Sequence, residues 1–250
     1  MGGPLFLRPD WVAPIRVRAL CTLRGGGVSA PPFDSLNFGQ RVGDAPEALA
    51  LNLGRLTAAA ALPAEPAWLL QVHGRVVADL DRPGGREADA AVTRMPGRVC
   101  AIQTADCLPV LFCAADGSAV AAAHAGWRGL AAGVLGATVQ ALAAAAPGVD
   151  LLAWMGPAIG PAHFEVGEEV REAFLDIDPA SSPAFVGNER GRWQCDLYGL
   201  ARRALVRAGV VSVTGGGFCT VAEQGRFFSY RRDGGRTGRM ASLIWLEPAP

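Results

Sequence analysis

The residues that could do chemistry in this chain are its few histidines and one of its cysteines. There are only three histidines and six cysteines in 250 residues. His73 and His124 each stand close to glycine, where a bare backbone leaves room around a functional side chain. A thiolate from Cys107 with these two imidazoles is a natural zinc ligand set, and three protein ligands leave the fourth position open for catalysis. In the alternative interpretation, both histidines are hydrogen-bonded structural residues and Cys107 is a buried apolar side chain.

The segment from Cys107 to His124 predicts a β-hairpin that brings these two residues together. Asp116-Gly117 lies between two apolar runs, which is a strong signal for a two-residue turn. In that register His124 pairs with Pro109, and Cys107 becomes its diagonal neighbour, at a spacing of roughly 7–8 Å that a shared metal could bridge. Cys113 lies about 20 Å further along the same strand at about 3.4 Å per residue, so it cannot join the site.

Three further segments could supply acids or anion ligands. Asp106 precedes Cys107 and could orient a ligand or carry a proton, although a capping role explains an Asp at a strand end equally well. Arg128 opens a predicted helix, whose free N–H groups and guanidinium could bind an anion together. The run Phe228–Arg239 places four arginines around a second Asp-Gly turn. Ordinary surface arginines are the competing interpretation of both arginine groups.

Composition limits the possible functions. Acidic and basic residues balance at 23 each, so we expect a small-molecule partner rather than a nucleic acid or a membrane surface. The chain has no lysine, which excludes Schiff-base chemistry and a Walker-type phosphate loop. Any phosphate must therefore be bound by arginine. Widely spaced cysteines, together with the lack of a secretory signal or a spanning apolar segment, predict a cytoplasmic protein without disulfides.

The order of apolar segments predicts an α+β or mixed-sheet fold, and the lack of a linker or a repeat predicts a single domain across residues 1–250. Strands occur in adjacent pairs as well as alternating with helices, which disfavours a purely parallel sheet. The predicted strands are Ile15–Leu23, Val99–Thr104, Pro109–Ala114, Ala119–His124, Leu151–Met155, Val210–Thr214, Phe227–Arg231 and Ala241–Leu246. The predicted helices are Pro46–Ala61, Leu130–Ala146, Val166–Leu175 and Asp196–Ala208.

The order of short motifs resembles the YfiH-type family, also described as multicopper polyphenol oxidase or laccase-like proteins and as purine nucleoside phosphorylases. The resemblance covers most of the chain. The matching segments are Gly26–Ser29, Ser35–Asn37, Val42–Asp44, Gln71–Gly74, Ala88–Ala90, Thr104–Pro109, His124–Gly129, Gly156–Gly160 and Ser229–Arg232.

The resemblance implies zinc on His73, Cys107 and His124, with copper as the less expected metal. It implies phosphorolysis of purine nucleosides such as adenosine, inosine and methylthioadenosine, and hydrolytic deamination of adenosine. The implied fold, mixed β-sheets covered by helices, is similar to that of the catalytic domains of cytotoxic necrotizing factors, and we expect a monomer. The residues expected to be catalytic are Cys107, Asp106 and Arg128. The residues expected to contact nucleoside or phosphate are Asn37, Arg128, Ser229, Arg231 and Arg232.

Four other functions stay open on the sequence alone. A metal-free hydrolase could use Cys107 as a nucleophile activated by His124. A copper phenol oxidase agrees with one family name, but three histidines are few for several copper ions. Editing of peptidoglycan precursors and a non-catalytic binding role are the remaining alternatives. His163 lies near a helix start, and we interpret it as structural.

Overall fold

The computed structural model describes residues 5–248, which form five α-helices, one 3-10 helix and three β-sheets. The strands are β1 Phe6–Leu7, β2 Val17–Thr22, β3 Val77–Asp79, β4 Ala90–Thr93, β5 Val99–Thr104, β6 Leu108–Ala114, β7 Val120–Ala125, β8 Leu151–Met155, β9 Glu165–Val166, β10 Phe185–Gly187, β11 Trp193–Cys195, β12 Ser212–Gly215 and β13 Met240–Leu246. The helices are α1 Pro46–Ala60, α2 Trp127–Ala131, α3 Val134–Ala145, α4 Glu168–Leu175, α5 Leu197–Arg207 and the 3-10 helix Pro179–Ala184.

Two larger sheets and a small one make up the β structure. The order in the four-stranded sheet is β1-β2-β13-β5, and in the six-stranded sheet it is β12-β8-β6-β7-β4-β3. The pairs β12/β8 and β3/β4 are parallel, whereas β6 pairs antiparallel with both β7 and β8. A three-stranded antiparallel sheet has the order β10-β11-β9. The predicted α+β class with mixed sheets is therefore confirmed.

Alternation along the strands shows how the two larger sheets pack. On β2, Cys21 belongs to the core shared with Leu111 of the six-stranded sheet, whereas Leu20 packs in a second core with Leu56 of α1. Successive side chains of a strand point to opposite faces, so the four-stranded sheet lies between α1 and the six-stranded sheet. The other face of the six-stranded sheet packs on helices, for example through contact with Leu135 of α3. The layers run helix, sheet, sheet, helices.

The predicted hairpin register is confirmed. Pro109 pairs with His124 and Leu108 with Ala125, while Gly117 in the turn has φ of 73°. The loop itself is longer than the two residues predicted, because the Gly117 N–H donates to the Ala114 carbonyl at 2.9 Å and Asp116 lacks the positive φ that a two-residue turn of this kind needs. This register places Cys107 just before the strand that pairs with the strand of His124.

Two sequence predictions are wrong in type or extent. The segment Phe227–Arg231 forms turns rather than a strand, because Phe227 and Phe228 fill the core between the sheets. The predicted helix Leu130–Ala146 is divided into α2 and α3 at Gly133, whose φ of 89° interrupts the helical conformation.

One end of the sheets collects the segments that carry chemistry. The chain leaves the four-stranded sheet at Thr104 and enters the six-stranded sheet at Leu108, so the three residues between them cross from one sheet to the other. Met240 pairs with Thr104, and therefore the loop that precedes β13 ends beside this crossing. Among residues 5–248, no helix has both the length and the apolar character that a membrane crossing requires.

Candidate metal centre

His73, Cys107 and His124 come together at this end of the sheets. Each offers one ligand atom, and these atoms all lie within 4.8 Å of one another. The Sγ of Cys107 is 3.8 Å from Nε2 of His73, and the two imidazole rings meet edge to face with centroids 4.7 Å apart. His124 is buried and His73 is exposed, so the group opens to solvent on one side. It is the sole such group of three or more potential ligands within the described part of the chain.

Asp89 orients both histidines, although it was given no role from the sequence. Its carboxylate is fully buried, and Oδ1 lies 2.8 Å from Nδ1 of His124. The same carboxylate accepts N–H bonds from Val72 at 3.2 Å, His73 at 2.9 Å and Gly74 at 2.7 Å. These bonds support the loop in which His73 has φ of 62°. A hydrogen bond at Nδ1 leaves Nε2 of His124 free to bind a metal.

Gly126 lets the chain pass close to the three ligands. A Cβ at this position would lie 2.8 Å from Sγ of Cys107 and 2.9 Å from Cδ2 of His73. Both distances are shorter than van der Waals contact allows, so only glycine fits without movement of a ligand. A glycine two residues after His124 is thus a condition for the arrangement.

The ligands are electrostatically coupled without a metal. Burial raises the pKa of the Cys107 thiol, but the His124 charge and hydrogen bonds with His124 and His73 outweigh burial and lower that pKa to about 6. Burial lowers the pKa of His124, but the Cys107 charge and the contacts with Asp89 and Cys107 reverse this and raise it. A thiolate beside a positively charged imidazole is therefore the favoured metal-free state near neutral pH.

The donor set fits one zinc ion. Around a tetrahedral zinc with bonds of roughly 2.0–2.3 Å, neighbouring ligand atoms lie roughly 3.3–3.6 Å apart. The observed 3.8 Å between Cys107 and His73 is close to this spacing. One sulfur and two nitrogens suit zinc, and the exposed side of the group is where a fourth ligand would bind.

A cavity of about 730 Å³ is lined by His73, Cys107 and His124. This volume is in the range of ligand-binding clefts. Trp127, Phe164 and Tyr230 supply aromatic surface, and Gln71 and Gln103 supply amides. Gln71 is held by a pair of hydrogen bonds to the backbone of Gln103, each 2.8 Å long. The walls thus offer flat apolar surface together with polar groups in fixed positions.

The cavity is rich in positive charge. Asp106 is the one carboxylate in its lining, and none of the lining arginines forms an ion pair with a carboxylate within residues 5–248. Arg128 is exposed, and its guanidinium lies 4.5 Å from the ring centroid of Trp127. An anion entering this cavity would meet four guanidinium groups and one carboxylate. The arginines in the lining are Arg41, Arg128, Arg231 and Arg239.

Asp106 links three loops at the site. Its φ is 84°, so it leaves the regular strand conformation that would have pointed it to the opposite face from Cys107. Oδ1 accepts a 2.5 Å hydrogen bond from the Thr220 hydroxyl, and Oδ2 accepts a 2.6 Å bond from the N–H of Arg231. Its carbonyl oxygen accepts from Ile159 N–H at 2.9 Å. Asp106 therefore lines the cavity and also positions the segments that carry Thr220, Arg231 and Ile159.

Asn37 and Ser229, two of the expected substrate contacts, occupy structural positions instead. Asn37 is fully buried, and its amide bonds to Asp44 and to the backbone N–H groups of Gly39 and Arg239. The buried Ser229 hydroxyl accepts from the N–H of Arg232. Neither of these side chains reaches the cavity, because each closes a loop in the wall behind it.

Arg232, which we expected to bind phosphate, instead forms hydrogen bonds within the protein. Its guanidinium donates to the carboxylate of Asp233 and to carbonyl oxygens of Thr220, Val221 and Phe227. These bonds use its donors within the protein. Arg231 does line the cavity, and so does Arg239 from the same run of arginines.

Sequence reasoning gave Asp89 no role, and it included Arg239 only as one member of a run that could bind an anion. A single acidic residue between two alanines in an apolar segment was a usable signal for Asp89, since a buried carboxylate needs a partner. Arg239 was one of four arginines in a turn-rich run, where spacing alone does not tell which one faces inward.

Comparisons with known proteins agree with this geometry. A family model described as multi-copper polyphenol oxidoreductase laccase matches residues 18–247. A purine nucleoside phosphorylase of Pseudomonas aeruginosa is 55% identical over 97% of this chain and 98% of its own length. The purine nucleoside phosphorylase YfiH of Escherichia coli is 52% identical over 95% of this chain and 97% of its own length.

Solved structures share the whole architecture. A Neisseria meningitidis protein superposes with a TM-score of 0.91 at 50% identity, covering 98% of this chain and 100% of that one. YlmD of Geobacillus stearothermophilus gives a TM-score of 0.87 at 33% identity, covering 98% and 99%. The family model and the relatives match nearly the full chain. This protein therefore belongs to the multi-copper polyphenol oxidoreductase laccase family, which includes the YfiH proteins.

Proposed function

We propose that this protein is a zinc-dependent purine nucleoside phosphorylase that also deaminates adenosine. The observation that carries the proposal is one cavity in which a Cys-His-His ligand group stands beside arginines that form no ion pair within residues 5–248. Close relatives named as purine nucleoside phosphorylases support the reaction class. A nucleoside needs a cleft with aromatic and amide surface, and a phosphate needs guanidinium groups.

Phosphorolysis requires phosphate to attack C1′ of the ribose while the bond from C1′ to the purine nitrogen breaks. Arg128, Arg231 and Arg239 would bind phosphate and orient one of its oxygens toward C1′. The ribose keeps the phosphate, and the purine leaves with the electron pair of the broken bond and takes up a proton. Fixed guanidinium groups in a partly closed cavity stabilise the charge that moves during this step.

The metal-binding residues would act at the same cavity. His73, Cys107 and His124 would hold zinc, which when bound supplies a Lewis acid with one free coordination position. Asp89 keeps the proton of His124 on Nδ1 and so keeps Nε2 directed at the metal. Trp127 and Phe164 add aromatic surface to the cleft, where a purine base would make apolar contacts.

Deamination of adenosine is the second activity that we propose for this site. It needs a group that accepts a proton from water and returns it to the leaving ammonia. Zinc deaminases use a glutamate beside a metal-binding histidine, whereas His124 is flanked by Ala123 and Ala125 here. Asp106 is the available carboxylate, since it lines the cavity and its Oδ2 is held in place by the Arg231 N–H.

Product analysis tests the proposal. Zinc-loaded protein is incubated with adenosine, with and without phosphate, and the products are separated by chromatography. We expect adenine only when phosphate is present, and inosine in its absence. Cys107→Ala should abolish both products, whereas Cys113→Ala, a change of a buried cysteine remote from the cavity, should keep them.

The arginine assignment has its own test. Arg128→Ala should raise the phosphate KM by about tenfold or more, as expected for loss of one charged contact of roughly 1.5–3 kcal/mol. Arg207→Ala is the matched control, because Arg207 of α5 pairs with Asp178 and does not line the cavity. An unchanged phosphate KM in Arg128→Ala would remove Arg128 from this role.

The competing functions give different outcomes in the same assays. Activity in metal-free protein would favour a Cys107 nucleophile with His124 as its base. Zinc-loaded protein that is inert to every purine nucleoside would favour editing of peptidoglycan precursors. A copper phenol oxidase is disfavoured because the third histidine of the chain, His163, lies outside the metal-ligand group and contacts Cys219.

A further inference from the structure

A second cysteine–histidine pair lies outside the metal centre. The Sγ of Cys219 is 3.3 Å from Nδ1 of His163, and the N–H of Gly160 donates a hydrogen bond to the same sulfur at 3.4 Å. Cys219 is partly exposed and His163 is exposed. The sulfur therefore has a base on one side, a backbone donor on another and access to solvent.

The backbone holds this pair in place. Gly215, Gly216 and Gly217 all have positive φ, and they lead the chain from β12 into the turn that carries Cys219. The N–H of Cys219 donates to the side chain of Glu223 at 2.8 Å. The sulfur is thus fixed against the Gly160 turn and is not a side chain that rotates freely on the surface.

The remaining cysteines lack these features. Four are buried in the cores, and burial raises the pKa of each of their thiols, so they stay protonated and inaccessible. Cys107 belongs to the proposed metal centre, where a bound zinc would occupy its sulfur. Cys219 is the one remaining cysteine in the described chain. The four buried cysteines are Cys21, Cys100, Cys113 and Cys195.

We propose that Cys219 is a modification site that forms mixed disulfides with low-molecular-weight disulfides, with His163 as the base that activates its thiol. Nδ1 of His163 takes the thiol proton, and the thiolate attacks one sulfur of the small disulfide. The S–S bond of that disulfide breaks and a new one forms to Cys219, while the other half leaves as a thiolate. The Gly160 N–H stabilises the charged sulfur before attack. No other oxidant is needed, because the disulfide is the species reduced.

Modification at Cys219 would reach the wall of the cavity. A Cβ on Gly160 would lie 3.1 Å from Cβ and 3.2 Å from Sγ of Cys219, so an adduct has no room on that side and extends toward solvent, where the His163 ring contacts the same sulfur. His163 belongs to the turn in which the N–H groups of His163 and Phe164 donate to the Gly160 carbonyl. Phe164 lines the cavity, and the Arg231 guanidinium donates to the His163 carbonyl. The adduct should therefore loosen this turn.

The test uses zinc-loaded full-length protein and oxidised glutathione at pH 7, with peptide mass mapping of every cysteine over time. Cys219 should acquire glutathione first. His163→Gln should slow its modification about tenfold, since the amide cannot take the thiol proton. Cys219→Ser should remove that adduct. Because His163 is exposed, His163→Gln should fold normally, which its melting temperature verifies.

Hydrogen exchange supplies a second readout that does not depend on any enzymatic activity. The N–H groups of His163 and Phe164 should exchange faster in the modified protein than in unmodified protein. Equal modification rates for wild type and His163→Gln, or a Cys219 that stays unmodified while another cysteine reacts, would overturn the proposal. The result is independent of the proposed phosphorylase, since neither readout uses a nucleoside.

Discussion

Replacing Asp89 with asparagine tests how the metal centre is supported. Oδ1 of Asp89 contacts His124 Nδ1 and accepts from the N–H of His73, while Oδ2 accepts from Val72 and Gly74. An asparagine keeps one oxygen but puts an NH₂ group at the other position. Two backbone N–H groups then face a donor, at a cost of about 1 kcal/mol each in this partly exposed loop, or about 2 kcal/mol together.

Two quantities should change in Asp89→Asn. Loss of about 2 kcal/mol in a protein of this size lowers the melting temperature by roughly 4–8 °C. Looser support of both histidines should weaken zinc binding about 10–100-fold. Zinc affinity is measured by competition with a chromophoric chelator, and stability is measured by thermal unfolding of the metal-free protein.

Asp81→Asn is the matched control for this experiment. The Asp81 side chain is 8% exposed and accepts hydrogen bonds from the Thr93 hydroxyl and from Arg94, at the end of β4 opposite Asp89. Its replacement should lower stability by a similar amount while zinc affinity stays the same. An Asp89→Asn protein that binds zinc as tightly as wild type would refute the supporting role of Asp89.

Three further predictions follow from the site geometry. Gly126→Ala should reduce zinc content strongly in metal analysis, because its Cβ would lie 2.8 Å from the Cys107 sulfur; full zinc content would contradict that contact. Arg239→Ala should raise the phosphate KM about tenfold, whereas Arg232→Ala should leave it unchanged and lower the melting temperature, since Arg232 holds loop carbonyls and Asp233. In metal-free protein, alkylation of Cys107 by iodoacetamide should be half-maximal near pH 6 and continue above it, because its pKa is lowered to about 6. Cys113, whose pKa is raised to about 12, should stay unlabelled, and equal labelling of both would contradict these pKa shifts.

The metal-ligand pair on the hairpin could be predicted because local rules determine it. Asp116-Gly117 fixes the turn, and the period of two along each strand then brings Cys107 close to His124. The predicted strands Val99–Thr104 and Leu151–Met155 match the observed bounds for the same reason, since continuous apolar runs with clear ends are strong signals.

The supporting residues could not be predicted, because their roles depend on contacts between distant segments. Asp89 meets the His73 loop and His124 only after β4 and β7 have paired. Arg239 and Arg232 differ in role because one precedes β13 at the cavity and the other lies in a turn that closes on itself. Neighbouring arginines in one run have no sequence signal that separates these environments.

Aromatic residues in turns were the main source of error in the fold. Phe227 and Phe228 look like strand residues because they are large and apolar, and they are fully buried. Their backbone makes turn bonds, including Phe227 N–H to the Glu223 carbonyl, and their rings fill space between the two sheets. Burial and strand conformation are separate properties, and composition alone reports only the first.

Formation of ribose 1-phosphate by metal-free and zinc-reconstituted samples of the same preparation tests the central claim most directly. Phosphorus NMR follows the conversion of phosphate in the presence of inosine, and chromatography measures hypoxanthine in parallel. We predict that only the zinc-reconstituted protein forms the two products, in equal amounts. Equal product formation by the metal-free sample, or none from any purine nucleoside after zinc is bound at His73, Cys107 and His124, would contradict the claim.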